Sequence, residues 1–141
     1  TASIGVFVPT IGLVNKFYNR LKADKDRGEL NVLVQRHHSK MWKDGRQLDG
    51  AINFADPGIK IMTYKSAKGL EFDTVFLPEL QKYKVGDGGV NIMKELYVLA
   101  SRAKKQLFLF FSGEGNPPVL NVLRDCGAME FLRDERDDEH R

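Results

Sequence analysis

Two short apolar runs joined by a polar connection are the feature that most constrains the fold of this chain. The runs are residues 59–63 and 74–77, and the connection between them carries Lys65, Lys68 and Gly69. Short apolar runs bounded by polar residues and glycine are typical of buried β-strands. The sequence therefore predicts two strands of one sheet. It also predicts that the connection lies at the carboxyl edge of that sheet, where open α/β sheets bind ligands.

Three further apolar runs extend the predicted sheet, at residues 4–8, 31–34 and 107–111. Apolar residues recur at helical spacing over residues 13–23 and 90–103, which predicts two helices. Strands separated by helical or loop crossovers predict an α/β fold with a mostly parallel sheet and helices on both faces. Because the run 107–111 is continuously apolar, we expect it at the centre of the sheet.

The rest of the chain carries weaker signals. Residues 35–57 are polar and contain glycine and proline, so we expect a loop with room for one short helix. Residues 119–123 are expected to start a last short helix that ends near Gly127. We therefore expect one domain over residues 1–126, followed by a partly disordered C-terminal tail over 127–141.

Composition places the chain among ordinary soluble domains. It has 141 residues, of which 42% are hydrophobic and 29% charged, enough for one buried core. Its apolar runs are far shorter than the roughly 20 residues that a membrane span needs, and the N-terminal residues do not resemble a secretory signal. The single Cys126 fits a reducing compartment. We therefore expect a cytoplasmic protein that does not bind a membrane.

The net charge and the arrangement of residues that could bind a metal or a phosphate limit which functions are possible. The net charge of +3 permits contact with nucleic acid without requiring it. His37 and His38 are adjacent, so their side chains diverge and do not chelate one metal; we expect no metal site. The phosphate-loop pattern G-x-x-x-x-G-K-[ST] is absent from the sequence, which excludes a complete phosphate-loop motor.

Two segments carry a specific resemblance. Residues 59–80 read IKIMTYKSAKGLEFDTVFLPEL and resemble the T-x-H-x-x-K-G-L-E-F motif of UvrD/Rep-type superfamily I DNA helicases. Residues 95–112 read ELYVLASRAKKQLFLFFS and resemble the L-Y-V-A-x-T-R-A motif of the same family. Both motifs belong to the C-terminal motor domain of these helicases. The resemblance implies a RecA-like fold, of the phosphate-loop NTPase type but without the phosphate loop.

The first motif implies contacts with DNA. By resemblance, Thr63, Lys65 and Ser66 fall where the family binds the backbone of single-stranded DNA. Lys65 stands where the family usually has histidine; lysine binds phosphate as a point charge but does not stack as an imidazole does. The residues alone leave open a simpler interpretation, a polar turn with solvated lysines.

Both motifs together imply a nucleotide site. By resemblance, Gly69 and Glu71 fall at the ATP-binding part of the first motif, with Glu71 near the ribose and triphosphate. Arg102 falls on the catalytic arginine of the second motif, which aims at the γ-phosphate of ATP bound to a neighbouring domain. We expect Arg102 near the C-terminal end of the helix 90–103. An exposed arginine placed favourably on the helix dipole is the alternative interpretation of the same residue.

The first strand and its surroundings depart from the family. Many relatives carry Tyr-Arg at the end of this strand, the tyrosine stacking on adenine, whereas this chain has Val8 and Pro9. Helical spacing makes Arg20 a surface residue rather than a substitute. Arg36, His37 and His38 follow the predicted second strand and either face the ligand edge or form a solvated basic turn.

These observations imply the C-terminal motor domain of an ATP-dependent DNA helicase. Its partners would be single-stranded DNA and an N-terminal RecA-like domain of the same protein. Its cofactor would be ATP with Mg²⁺, which this domain would bind only together with that N-terminal domain. A degenerate, non-hydrolysing binding module is the first alternative. A complete small α/β enzyme is the second, but the sequence offers no convincing nucleophile–base pair.

Overall fold

A computed structural model describes seven segments of the chain. They are residues 3–38, 42–43, 46–47, 52–53, 56–67, 69–83 and 90–113. Within them, no helix is long and apolar enough to cross a membrane. The helix predicted at 119–123 and the tail predicted at 127–141 lie outside the described residues.

The strands of the described residues are β1 Ser3–Val8, β2 Val34–His37, β3 Trp42–Lys43, β4 Arg46–Gln47, β5 Gly58–Thr63, β6 Phe72–Leu77 and β7 Ala103–Leu109. Five of them form the main sheet, all parallel, in the order β2-β5-β1-β6-β7. A separate two-stranded antiparallel ladder joins β3 to β4. The predicted α/β fold with a parallel sheet is confirmed.

Helices cover both faces of the sheet. They are α1 Ile11–Asp26 and α2 Val90–Ala100, with short 3-10 helices at Tyr64–Ala67 and Leu80–Lys82. Because side chains alternate along a strand, those of β1 belong to two separate hydrophobic cores, one on each face of the sheet. Val6 and Val8 pack with α1, whereas Phe7 packs with Leu96 and Leu99 of α2.

Helix α1 begins where its sequence allows an N-terminal cap. The Thr10 side chain accepts a hydrogen bond from the backbone N–H of Leu13 at 3.2 Å, which satisfies one of the unpaired amides of the first turn. Leu13 and Val14 are its buried residues. The helix predicted at 13–23 is therefore confirmed, with about one further turn at its C-terminal end.

Several predicted boundaries were wrong, including those of β6, which begins at Phe72 rather than at 74, and of β7, which spans Ala103–Leu109 rather than 107–111. The second strand is Val34–His37 rather than 31–34. The helix predicted at 90–103 ends at Ala100, because Ala103 already pairs with Phe72 as the first residue of β7. In the region predicted as a loop with room for a helix, the described residues contain the β3–β4 ladder and no helix.

The position predicted for the run 107–111 was also wrong. Its strand, β7, pairs only with β6 and lies at the edge of the sheet. Four side chains of the run 107–111 are more than a third exposed: Leu107, Phe108, Phe110 and Phe111. A continuous apolar run indicates that both faces of a strand can pack against other elements. It does not specify whether that strand lies at the centre or at the edge of the sheet.

Gly58 fixes the entry to β5. Its φ is +123°, and a Cβ atom there would lie 2.4 Å from the carbonyl oxygen of Leu33. That oxygen accepts a hydrogen bond from the N–H of Ile59 at 2.8 Å. The glycine therefore allows β2 and β5 to approach closely at the start of their ladder.

Candidate functional site

The polar connection between β5 and β6 crosses the sheet instead of lying at one edge. Thr63 pairs with Val8 at the carboxyl end of β1, whereas Thr74 pairs with Ile4 near its amino end. Phe72 begins β6 two residues before Thr74. At about 3.3 Å per residue, the two ends of the connection are separated by about 20 Å along the strands.

This geometry corrects the expectation that the whole connection lies at the carboxyl edge. Parallel strands β5 and β6 both start at the same side, so any connection between them must return across a face of the sheet. Thr63 remains at the carboxyl edge and Glu71 lies at the amino edge. The candidate residues therefore divide into two groups, a carboxyl-edge group and an amino-edge group.

The carboxyl-edge group consists of Thr63, Lys65 and Ser66. The hydroxyl oxygens of Thr63 and Ser66 are 3.1 Å apart and hydrogen-bonded. Lys65 is exposed, and its Nζ lies 5.9 Å from the centre of the Tyr64 ring. The end of β5 and the 3-10 helix Tyr64–Ala67 thus carry two linked hydroxyls and one exposed ammonium within four successive residues. Such donors suit an anionic phosphate.

The sequence analysis did not identify Tyr64 or the side chains that it contacts. The ring of Tyr64 lies 5.6 Å from that of Tyr83. Burial raises the pKa of Tyr64, and the charge of Glu95 and its hydrogen bond with the phenol raise it further. The tyrosine occupies a variable position of the first motif, so the motif alone gave no signal for it. Glu95 lies on α2, and the contact joins the carboxyl-edge group to that helix.

The buried Tyr83 packs against Tyr64, beside the carboxyl-edge group. Its side chain is 5% exposed and its hydroxyl donates to the carbonyl oxygen of Phe7 at 3.3 Å. Burial raises the pKa of Tyr83, and the nearby Tyr64 and Glu95 add to the shift in the same direction. The phenol therefore stays neutral and keeps its hydrogen bond through the physiological pH range.

The amino-edge group consists of Gly69, Glu71 and Arg102. The backbone N–H of Phe72 donates to the carbonyl oxygen of Arg102 at 2.8 Å, which places Glu71 beside Arg102. Gly69 has a φ of +81° and open space around its α-carbon. The structure thus places Glu71 next to Arg102, and Gly69 lies two residues before Glu71 in the same connection.

Arg102 lies in the turn after α2 and not on the helix, which corrects its expected position. The helix ends at Ala100, and the Nε of Arg102 donates to the carbonyl oxygen of Val98 at 3.2 Å. Ser101 also bonds that oxygen, through its hydroxyl at 2.6 Å. Arg102 is half-buried, and within the described residues its guanidinium forms no ion pair.

Lys104 is a further residue that the sequence did not single out. Its Nζ lies 3.8 Å from a carboxylate oxygen of Glu71, and both side chains are more than half exposed. Such an exposed pair contributes little to stability. It does, however, add a second cation to the edge that carries Arg102.

The structure also locates the residues that depart from the family. Val8 is fully buried, so it offers no ring or cation to a ligand. Arg20 is confirmed as a surface residue, with 78% of its side chain exposed. Arg36 packs on α1, where it donates to Asn15 at 3.0 Å and lies 4.3 Å from the ring centre of Tyr18. Arg36 therefore joins β2 to α1 and does not form a solvated turn.

Metal-ligating residues do not cluster in the described part of the chain. None of its groups of three or more histidine, cysteine, aspartate or glutamate side chains is arranged to hold a metal ion. Glu71 is the one carboxylate of the amino-edge group. A single carboxylate does not fill the octahedral, all-oxygen coordination sphere of Mg²⁺.

Comparison with known proteins identifies the family of this chain. Residues 13–114 match the family model of the UvrD-like helicase C-terminal domain. The chain is 45% identical over 62 residues to the RecBCD enzyme subunit RecB of Chlamydia pneumoniae, and 49% identical over 57 residues to that of Chlamydia muridarum. These matches cover 44% and 40% of this chain but only 6% of each relative.

A solved structure shows the same fold. The C-terminal domain of a possible DNA helicase from Lactobacillus plantarum WCFS1 superposes with a TM-score of 0.56 at 23% identity. The superposition covers 86% of this chain and 63% of that domain. The family expected from the two motifs is confirmed over most of the chain, and the chain belongs to the UvrD-like helicase C-terminal domain family.

Proposed function

We propose that this chain is the C-terminal motor domain of an ATP-dependent DNA helicase or translocase. In this proposal an N-terminal RecA-like domain of the same protein supplies the phosphate loop, the Mg²⁺ ligands and the carboxylate that activates water. ATP with Mg²⁺ binds in the cleft between the two domains and supplies the energy for movement. The RecB subunits of the chlamydial RecBCD enzymes are relatives, so we propose a helicase of this type.

The division of the motif between two edges of the sheet is the observation that carries the proposal. A motor must contact nucleotide and nucleic acid at separate places and link them mechanically. Here the link is the short segment between Thr63 and Phe72, which crosses about 20 Å of the sheet face. A shift at one end of so short a segment is transmitted to the other.

Arg102 is proposed as the arginine finger at the nucleotide end. Its backbone is held by the N–H of Phe72 and its Nε by the carbonyl oxygen of Val98. The remaining guanidinium nitrogens point a fixed positive charge at the transferred phosphoryl group, where negative charge develops in the transition state. Glu71 accepts from the ribose, and Gly69 lets the backbone approach the nucleotide.

Thr63, Lys65 and Ser66 are proposed to bind the single-stranded DNA backbone. The linked hydroxyls of Thr63 and Ser66 donate to one phosphate, and the exposed Lys65 neutralises its charge. These contacts do not read the bases, so binding would be independent of sequence.

A second candidate function is a non-hydrolysing module that binds nucleic acid. The fully buried Val8 favours it, because the strand end that carries an adenine-stacking tyrosine in many relatives carries no such group here. In that case Arg102 would serve only to cap the C-terminal end of α2 through Val98.

Turnover of the full-length protein with substitutions at Arg102 tests the proposal. We expect Arg102→Ala to lower DNA-dependent ATP hydrolysis by about 10³-fold or more, with little change in melting temperature or DNA affinity. Arg102→Lys should rescue poorly, since it lacks the planar fork that spans two oxygens. Arg20→Ala, at an exposed arginine of α1, is the matched control.

The same measurement separates the two candidates. Equal turnover in all variants would show that Arg102 has no catalytic role and would contradict its assignment as the arginine finger. A wild-type protein that binds DNA without any turnover would favour the non-hydrolysing module. A large fall in melting temperature for Arg102→Ala alone would make the residue structural.

A further inference from the structure

Tyr64 connects the carboxyl-edge group to helix α2. Its phenol is hydrogen-bonded to the carboxylate of Glu95, which lies on α2. An ionised carboxylate only accepts hydrogen bonds, so the phenol is the donor. Lys65 is the next residue of the chain, and its Nζ lies 5.9 Å from the centre of the Tyr64 ring. The lysine proposed to contact DNA therefore directly follows a residue that is bonded to α2.

Tyr64 is held on a second side by Tyr83. The two rings lie 5.6 Å apart, with an angle of 55° between their planes. Tyr83 is itself anchored, because it is buried and its hydroxyl donates to the carbonyl oxygen of Phe7 at 3.3 Å. Tyr64 also packs against the core that contains Leu96 of α2. Because a close-packed core resists small displacements, a shift of the Tyr64 ring requires a shift of that helix.

Helix α2 leads from this contact toward the amino edge of the sheet. The helix ends at Ala100 and the parallel strand β7 begins at Ala103. The helix must therefore run antiparallel to the strands, from their carboxyl edge to their amino edge. A helix rises about 1.5 Å per residue, so the part from Glu95 to Ala100 covers about 7.5 Å in that direction. The amino-edge group lies at the end of this path.

The C-terminal end of α2 fixes the side chain of Arg102. The Nε of Arg102 donates to the carbonyl oxygen of Val98 at 3.2 Å, and its backbone N–H donates to that of Leu99 at 3.1 Å. Val98 follows Glu95 by less than one helical turn, a rise of about 4.5 Å. A displacement of α2 at Glu95 therefore also moves the carbonyl groups that orient Arg102.

We propose that Tyr64 and Glu95 are positioning residues that couple DNA binding at the carboxyl-edge group to the placement of Arg102 beside the nucleotide. This inference rests on the proposed motor function and adds a second connection between the two groups, through α2 as well as through the segment between β5 and β6. DNA bound to the carboxyl-edge group holds the 3-10 helix that follows β5. Through the Tyr64–Glu95 hydrogen bond it stabilises the arrangement of α2 in which Arg102 meets the phosphate, so DNA accelerates ATP hydrolysis.

The stimulation of ATP turnover by DNA in the full-length protein measures this coupling. It is the ratio of turnover at saturating oligodeoxythymidylate to turnover without DNA. Tyr64→Phe removes only the phenol oxygen, and we expect it to lower this ratio by at least about fivefold, the lower end of the coupling between linked sites. Turnover without DNA, DNA affinity without nucleotide and the melting temperature should stay close to those of wild type, because the ring still packs against Tyr83.

Substitutions at Glu95 separate the hydrogen bond from packing. Glu95→Ala removes the acceptor and should lower the ratio as Tyr64→Phe does. Glu95→Gln keeps an oxygen that accepts from the phenol, so it should retain most of the stimulation. Because both single substitutions break the same bond, Tyr64→Phe combined with Glu95→Ala should lower the ratio no further than either one alone. Tyr97→Phe, at an exposed tyrosine of the same helix, is the matched control and should leave the ratio unchanged.

The outcomes distinguish this inference from the proposed motor function. A wild-type protein that DNA does not stimulate would contradict the motor function, and the inference with it. A stimulated wild type with a normal ratio in Tyr64→Phe and Glu95→Ala would overturn the inference alone. Additive losses in the double variant would show that the two residues act independently, which also overturns it. A shared loss that Glu95→Gln largely restores, and that is absent from Tyr97→Phe, supports it.

Discussion

The backbone N–H of Phe72 donates to the carbonyl oxygen of Arg102 at 2.8 Å. This hydrogen bond joins the start of β6 to the turn before β7, so it fixes the end of the first motif against the second. Because the bond uses only backbone atoms, the side chain of Arg102 can be changed without breaking it. Substitutions at this position therefore test chemistry more than folding.

The isolated chain should hydrolyse no ATP above background. Its sequence has no phosphate loop, and an arginine finger acts only on a triphosphate held by another domain. Phosphate release from a preparation purified to constant specific activity checks this. Release that co-purifies with the chain, and falls on Arg102→Ala, would show a complete site within it.

Lys65→Ala should weaken binding of the chain to single-stranded DNA and lower its salt dependence. Loss of one phosphate contact is expected to reduce the slope of log affinity against log salt by about 1. Fluorescence anisotropy with a labelled oligonucleotide at several salt concentrations measures it. Lys22→Ala, at an exposed lysine of α1, is the control. Equal effects of the two variants would indicate only a general attraction between the basic domain and DNA, without a specific contact at Lys65.

Gly58→Ala should destabilise the fold much more than Gly28→Ala. Both glycines have positive φ, +123° and +78°, but a Cβ at Gly58 would meet the Leu33 carbonyl oxygen at 2.4 Å while Gly28 has open space. We expect a loss of about 1 kcal/mol at Gly28 and at least about 2 kcal/mol at Gly58. Urea unfolding of the three proteins measures both values; similar losses would argue against the close approach of β2 and β5.

Tyr83 should make the domain sensitive to alkaline pH. Its pKa is raised in the folded state by burial, so the folded chain holds this proton more tightly than the unfolded chain. The resulting stability is complete below the unfolded pKa of about 10 and is lost as pH rises from there toward the folded pKa. We expect the unfolding free energy of wild type to fall more steeply above about pH 10 than that of Tyr83→Phe.

Urea titrations at neutral and alkaline pH test this difference. At neutral pH the variant should lose only about 1 kcal/mol, for the hydrogen bond to Phe7. Lys60 has a lowered pKa through burial, so its contribution rises with pH, but it is present in both proteins and cancels in the comparison. Tyr97→Phe, whose side chain is 76% exposed, is the control; the same pH profile in Tyr83→Phe as in wild type would contradict the prediction.

The sequence predicted the elements of this fold well, because their signals are local. Apolar runs and helical spacing identified the five strands of the main sheet and both long helices, with boundary errors of a few residues. Helix α1 was found from its buried stripe, including Leu13 and Val14. The start of β2 was misplaced because the residues before Val34 are also apolar, and the β-ladder partner alone decides where pairing begins.

The sequence predicted which residues of the candidate site lie near one another, but not where the two groups lie on the sheet. Thr63, Lys65 and Ser66 do lie together, as do Glu71 and Arg102, since each group is local or joined through one backbone bond. That the two groups lie at opposite edges did not follow from the motif. Tyr64 and its contact with Glu95 depend on α2 packing over the connection, which no local pattern encodes.

The sequence by itself determined which segments are strands and helices, and through two contiguous motifs it determined the family. Only the tertiary structure decided that β7 is an edge strand, that the first motif crosses the sheet, and that Arg102 lies beside Phe72 in a turn. The physical reason is that side-chain periodicity reports which faces of an element are buried. Strand order and the path of a connection depend on contacts between residues distant in sequence, and those are fixed only when the chain packs.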